Sequence, residues 1–166
     1  MLVRLARRDD AEAIERIRVR GWQAGYRHVY PEAEVDRLEV DWSRWEKRID
    51  RPPAGWAIFV AEGRGRLLGF VAVGPSRDEA GVGEIYAIYV DPDDWRRGTG
   101  RALIERAEER LAEDYAEVTL WVLEENPRAR TFYEAAGWHA DGGRQSVERL
   151  GVSPAELRYR KTLRMT

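Results

Sequence analysis

The sequence predicts an α/β fold, and three observations predict it. The stretch from Tyr86 to Ala107 reads as a strand, a basic glycine-containing loop and a helix in direct succession. The run Val118 to Leu123 is almost continuously apolar and rich in β-formers, as expected of a strand buried on both faces, and a helical stripe follows it. Along the whole chain the elements come in the order β-α-α-β-β-β-α-β-α-β-β.

The central stretch carries the chemistry. Tyr86 to Val90 is aromatic and β-branched, and Asp91-Pro92 ends the strand because proline has no N–H for a ladder and restrains the residue before it. Leu103, Ile104, Ala107 and Leu111 then recur at helical spacing. Gly98 and Gly100 allow backbone N–H groups to approach a ligand where this helix begins, at the positive end of its dipole. Arg96, Arg97 and Arg101 add formal charge, so the loop suits a diphosphate. A Walker loop would need a lysine after Gly100, and a dinucleotide fingerprint would need glycine where Leu103 stands. Both nucleotide readings fail.

Downstream, Ala129, Phe132, Tyr133 and Ala136 form a stripe at i, i+3, i+4 and i+7. Asn126 can cap this helix, Pro127 suits its first turn and Gly137 supplies its stop. The loop Trp95-Arg96-Arg97-Gly98-Thr99-Gly100 resembles motif A of the GCN5-related N-acetyltransferases, Gln/Arg-x-x-Gly-x-Gly/Ala, with Trp95 departing from the usual Gln or Arg. The segment Asn126 to Trp138 resembles the family's motif B, Asn-x-x-Ala-x-x-Phe-Tyr-Glu-x-x-Gly-Phe/Trp, at every one of those positions. The resemblance covers nearly the whole chain as one domain, residues 1–166. It implies a mixed central sheet of six to seven strands flanked by about four helices, with acetyl-CoA as cofactor and no metal.

The rest of the chain fits one domain. With 166 residues and seven tryptophans it can bury a proper core, and a net charge of −2 gives no global case for nucleic acid. The absence of cysteine excludes disulfides, thiolate metal sites and a cysteine acyl-enzyme. The first ten residues lack the apolar block of a signal peptide and no run is long enough to span a bilayer, so a soluble cytoplasmic protein away from membranes is expected. Leu2 to Leu5 alternates as a strand. Asp9, with Glu12 three positions on, is expected to cap a helix whose inward stripe is Ile14, Ile17 and Gly21 or Ala24. An aromatic loop ends at the breaker Pro31, and Trp42, Trp45 and Ile49 mark a second helix stopped by Pro52-Pro53. Trp56 to Ala61 and Leu67 to Val73 form a hairpin around Gly63-Arg64-Gly65. Asp141-Gly142-Gly143 reads as a turn before a final pair, Gln145 to Arg149 and Leu157 to Leu163.

Acetyl transfer to an amine needs a deprotonated amine, whose ordinary pKa is about 10, a fixed donor for the oxyanion, and a proton for the leaving thiolate. Tyr133 is the candidate acid, since the resemblance puts it near the CoA sulfur; its stripe would equally make it a core aromatic. Glu84 is the candidate base. Period two puts Glu84, Tyr86, Ile88 and Val90 on one face, although a strand-start glutamate reaching solvent or an arginine is as good a reading. The resemblance lays the backbone of Ile88, Tyr89 and Val90 along the pantetheine arm. It sets the amides of Arg96, Arg97, Gly98, Thr99, Gly100 and Arg101 on the pyrophosphate, with Asn126, Ala129 and Tyr133 nearby. Trp95 is expected to pack against the helix. Trp22, Tyr26 and Tyr30, with Glu84 and Tyr86, either line the acceptor pocket or pin the helices to the sheet. His28 is read as an exposed loop histidine.

The functional reading is direct acetyl transfer to a primary amine of a small molecule or a peptide, without a covalent acyl-enzyme. A non-catalytic acyl-CoA-binding module is the alternative, and the near-neutral charge disfavours a nucleic-acid partner. The resemblance also implies a homodimer, since final strands in this family often join across subunits.

Overall fold

The computed structural model describes residues 1–164 and shows why one sheet can carry two cores. Leu2–Leu5 (β1), Ala57–Gly63 (β2), Arg66–Pro75 (β3) and Gly83–Val90 (β4) pair antiparallel in that order. Glu117–Leu123 (β5) joins β4 in parallel, and Ala155–Thr162 (β7) and His139–Ser146 (β6) extend the sheet antiparallel, giving β1-β2-β3-β4-β5-β7-β6. The helices are Ala11–Gly25 (α1), Glu32–Asp36 (α2), Ser43–Asp50 (α3), Thr99–Ala112 (α4) and Pro127–Ala135 (α5). Seven strands and five helices match the predicted class, with α2 added after Pro31 in the segment read as loop.

Alternation along β2 and β3 sends side chains to both faces, and each face is covered. Leu103, Ile104, Ala107 and Leu111 of α4 are all buried against Phe59, Val71, Val73 and Ile85. On the opposite face Ile14 and Ile17 of α1 and Trp45 of α3 bury Ile58, Val60, Phe70 and Ala72. Gly21 continues the α1 stripe because a Cβ there would stand 2.9 Å from the Tyr89 ring, whereas Ala24 is exposed.

The feature that shapes the site is a bulge in β4. Ala72 pairs with Ala87 and Val73 with Ile85, so Tyr86 is an extra residue. The expected common face of Glu84, Tyr86, Ile88 and Val90 is therefore corrected. Tyr86 packs with Ala87 and Tyr89 on the α1–α3 side, while Ile88 and Val90 pack on the α4 side. The bulge also coincides with the end of the β4–β5 ladder, which holds only at Gly83–Val118, Glu84–Thr119 and Ile85–Leu120. Beyond it the two strands part.

Two local readings change as well. Asp9 is exposed, and the start of α1 is held by Asp10, whose carboxylate accepts from the Arg7 N–H at 2.7 Å and from Arg4 at 2.8 Å. Asp141-Gly142-Gly143 is a bulge inside β6 rather than a turn. Asp141 accepts from Gly143 N–H, Arg158 and Arg160, which locks the extra residues onto β7. The reversal lies further on, at Leu150-Gly151, where both residues have positive φ.

Asp10 gives a pH-dependent term. Burial opposes its charged form, yet the Arg4 guanidinium and the Arg7 N–H overcome this and hold its carboxyl below the ordinary 3.8. A lowered folded-state value stabilises above the unfolded pKa and is lost as the pH falls through the folded one. Asp10→Asn is expected to cost about 2 kcal/mol at pH 7. Denaturant unfolding should show the gap to wild type closing toward about pH 3; an unchanged gap there would refute the assignment.

Candidate active site

Where β4 and β5 part, backbone polar groups lose their sheet partners. The Asp91 N–H donates to the Leu68 carbonyl at 2.8 Å, so Asp91 and, by alternation, Tyr89 and Ala87 turn their backbone toward β3. Ile88 and Val90 then turn theirs into the gap. Of the three residues expected along the cofactor arm, Ile88 and Val90 have backbone facing the gap. Tyr89 offers only its side chain, whose hydroxyl accepts from Trp22 Nε1 at 3.0 Å.

The gap opens at its far end onto the N-terminus of α4. Gly98 caps this helix at φ 87 with no side-chain cap, and a Cβ there would meet nothing within 4 Å. Arg96 also has positive φ, at 64, so left-handed residues stand at two positions of the loop. Thr99 is buried, Arg96, Arg97 and Gly98 are exposed, and Arg101 pairs with Glu105 at 2.7 Å. Trp95 does more than pack: Nε1 donates to the Val90 carbonyl at 2.9 Å, and the Arg128 guanidinium stacks 3.6 Å from its ring. Uncapped helix N–H groups, a glycine cradle and nearby guanidinium charge are the donor set a diphosphate requires.

A cleft of about 870 Å³ runs from this loop through the gap to the opposite face of the sheet. On its α5 wall, Asn126 caps the helix by accepting from Ala129 N–H at 3.2 Å, and Ala129, Phe132 and Tyr133 face the space. Tyr133 is 8% exposed. Burial pushes its hydroxyl well above the usual phenol value, the Tyr89 hydroxyl adds to this, and Arg128 opposes it. It therefore keeps its proton at ordinary pH. Tyr26 is raised for the same reasons, burial first and Tyr89 next, with Tyr133 contributing. Both tyrosines line the same cleft.

At the acceptor end, Trp22, Tyr26 and Tyr30 form one aromatic group, with the Trp22 ring 4.8 Å from each tyrosine ring. They line the cleft and also pack on Val35 and Leu123, so lining and packing hold together. Tyr86 lines the cleft with its ring 4.3 Å from Trp56 and its hydroxyl on the Pro75 carbonyl. Glu84 is the correction. It is fully buried, does not line the cleft, and accepts from the Arg77 N–H at 2.9 Å and from the Arg77 guanidinium at 3.1 Å. The expected free base is spent on an arginine. His28 is exposed and contacts the Glu125 carbonyl, outside the cleft lining.

Sequence reasoning missed Arg18, Arg44, Arg48 and Arg77, all of which line the acceptor end, and Arg128 at the other. Arg44 and Arg48 are spaced i, i+4 around the buried Trp45, a visible signal that reads as an ordinary solvated helix face until the partner elements are known. No group of residues suited to holding a metal ion is present among the described residues, and no helix there is long and apolar enough to cross a membrane.

Comparison with known proteins agrees with this geometry. The family profile described as acetyltransferase (GNAT) family matches residues 12–138. An uncharacterized N-acetyltransferase of Bacillus subtilis, YuaI, is 32% identical over 139 residues, covering 80% of this chain and 77% of the relative. A mycothiol acetyltransferase of Kocuria rhizophila is 39% identical over 97 residues, covering 54% of this chain but 32% of that protein. Among solved structures, YncA, a putative acetyltransferase of Salmonella typhimurium solved with acetyl-CoA, superposes with a TM-score of 0.78 at 19% identity, over 98% of this chain and 94% of that one. With its fold, its glycine-capped helix and its parted strands described, the chain belongs to the GNAT family of acetyltransferases.

Proposed function

We propose that the protein is an acetyl-CoA-dependent N-acetyltransferase that passes the acetyl group directly to the primary amine of a small molecule, with no covalent acyl-enzyme. The observation that carries this reading is the parting of β4 and β5 directly above the uncapped start of α4. The open Ile88 and Val90 backbone would hold the pantetheine arm as a missing strand, and the amides from Arg96 to Arg101 would hold the diphosphate, with Arg128 on Trp95 adding charge. The Asn126 side chain, Ala129 and Tyr133 form the facing wall. Bound there, acetyl-CoA supplies the activated acyl group.

The chain's own residues do the rest. A backbone N–H on the open β4 edge meets the negative charge that builds on the acyl oxygen. The Tyr133 hydroxyl, kept protonated by burial, holds a proton for the departing sulfur. The amine loses its proton to water, because Glu84 is committed to Arg77. The absence of cysteine removes the commonest acyl-carrying nucleophile. The mycothiol acetyltransferase relative supports a small-molecule amine as acceptor. That same commitment of Glu84 favours a second reading, a non-catalytic acyl-CoA-binding module, which release of free CoA in the presence of amines would exclude.

Three outcomes are expected. Tyr133→Phe should lower kcat by about a hundredfold while leaving the KM for acetyl-CoA nearly unchanged, as steady-state CoA release will report; an unchanged kcat would remove the hydroxyl from the mechanism. Gly98→Ala forces a side chain into left-handed backbone, so it should cost about 1–2 kcal/mol in stability and weaken acetyl-CoA binding measured by calorimetry. For a water-assisted amine, kcat/KM should rise about tenfold per pH unit up to the acceptor's own pKa, in wild type and Glu84→Gln alike. A limb that flattens far below that pKa in wild type and is lost in Glu84→Gln would restore Glu84 as base.

A further inference from the structure

The acceptor end of the cleft is walled by cations that the cofactor does not explain. The diphosphate loop belongs to α4, on one face of the sheet, whereas Arg18 of α1 and Arg44 and Arg48 of α3 reach the cleft from the other face. The carboxylate set among these three is Glu15, which accepts from Arg18 at 2.6 Å and Trp45 at 3.1 Å and lies 3.7 Å from Arg44. Asp41, exposed before α3, bonds the Ser43 N–H. Arg48 sits between the Trp45 and Trp56 rings, 5.5 and 5.1 Å from their centroids, and makes no ion pair among the described residues. Arg77 is matched by Glu84 and lies 5.4 Å from the Tyr86 ring. The acids lining the whole cleft, Asp94 and Glu156, face Arg66 and Arg149 instead.

Three guanidinium groups against one carboxylate leave an excess positive charge. Arg44 is exposed, and the protein atoms around it, with Arg18 and Arg48 and against the pull of Glu15, hold its guanidinium below its ordinary value. The Arg44 guanidinium lies 5.0 Å from the Trp45 ring centroid, and a guanidinium can take an oxyanion through two parallel hydrogen bonds.

We infer that the acceptor is a small amine that also carries an oxyanion, a carboxylate or its phosphonate equivalent, and that Arg44 and Arg48 bind this group between Trp45 and Trp56. This rests on the transferase reading and narrows it. Bound this way, the oxyanion offsets part of the surplus charge and orients the amine toward the gap at Tyr26 and Tyr133. The remaining guanidinium groups disfavour a second positive charge, so a neutral amine is favoured over an ammonium without a dedicated base. A polyamine, with cations only, is repelled from the same pocket.

The test uses the wild-type chain with acetyl-CoA and a panel of amino acids, their carboxamides, their aminophosphonate counterparts, an acidic peptide and spermidine. Carboxylate or phosphonate acceptors are expected to exceed the matching carboxamides in kcat/KM by about tenfold or more, with spermidine poorest. Arg44→Gln and Arg48→Gln are expected to shrink that ratio toward one. The relative standing of carboxylates and phosphonates identifies the oxyanion. Carboxamides turned over as well as the acids would overturn the inference while leaving the transferase reading intact, and so would an acidic peptide preferred to every free amino acid. Calorimetric titration of the same acids and carboxamides into the CoA-loaded protein decides the inference independently of turnover. Tighter binding of the acids with no turnover would sink the transferase reading alone, and equal binding would sink the inference.

Discussion

The structure depends on one interruption of sheet pairing. A parallel pair buried in the centre of a sheet normally satisfies its backbone groups along its full length, since each orphaned N–H or C=O is costly. Here the β4–β5 ladder stops after Ile85–Leu120, at the residue where Tyr86 adds a bulge to β4. The bulge re-aims every later β4 side chain, turning Ile88 and Val90 to the α4 side and Tyr89 to the α1 side. The strand edge is left open beside the uncapped start of α4, so the same deviation creates the ligand groove and points it at the diphosphate loop.

That geometry separates two tasks onto two faces. On the α4 face, the cleft presents glycine backbone and uncapped helix N–H groups. On the α1–α3 face, arginines stacked on tryptophans supply charge through side chains. Tyr133 and Tyr26 stand between them, each pushed up by burial and each affected by Tyr89. Glu84, outside the cleft, holds Arg77 beside Tyr86.

Much of this was legible in the sequence, for reasons that can be named. Leu103, Ile104, Ala107 and Leu111 reported a buried helix face because their spacing is set by helix geometry alone. The Asn126 cap and the Gly137 stop are equally local: each acts within a few residues of itself. What could not be read depends on a partner strand. Period-two counting from Glu84 failed because a bulge is defined by β3, not by β4's own residues. Asp141-Gly142-Gly143 looked like a turn because its residues suit one, and only Arg158 and Arg160 on β7 convert it into a bulge. The arginines of α1 and α3 were hidden for the same reason, since these helices are distant in sequence from β4 and pack on its Tyr86, Ala87 and Tyr89 only in the folded chain.

The departure at Trp95 shows how the loop keeps its charge with a different residue. Where the family's motif usually places Gln or Arg, the indole donates to the Val90 carbonyl and so closes the last free acceptor of the open edge, fixing where the groove ends. Its ring then serves as a platform for Arg128, which comes from the first turn of α5. Arg128 is exposed and has no carboxylate partner among the described residues, and the protein atoms around it hold its guanidinium below its ordinary value. An unpaired, stacked guanidinium beside uncapped helix N–H groups is stabilised by an anion more than a solvated one would be. Where the motif places Gln or Arg on the loop itself, this chain brings a guanidinium from α5 across the groove, so α4 and α5 present charge to the same space.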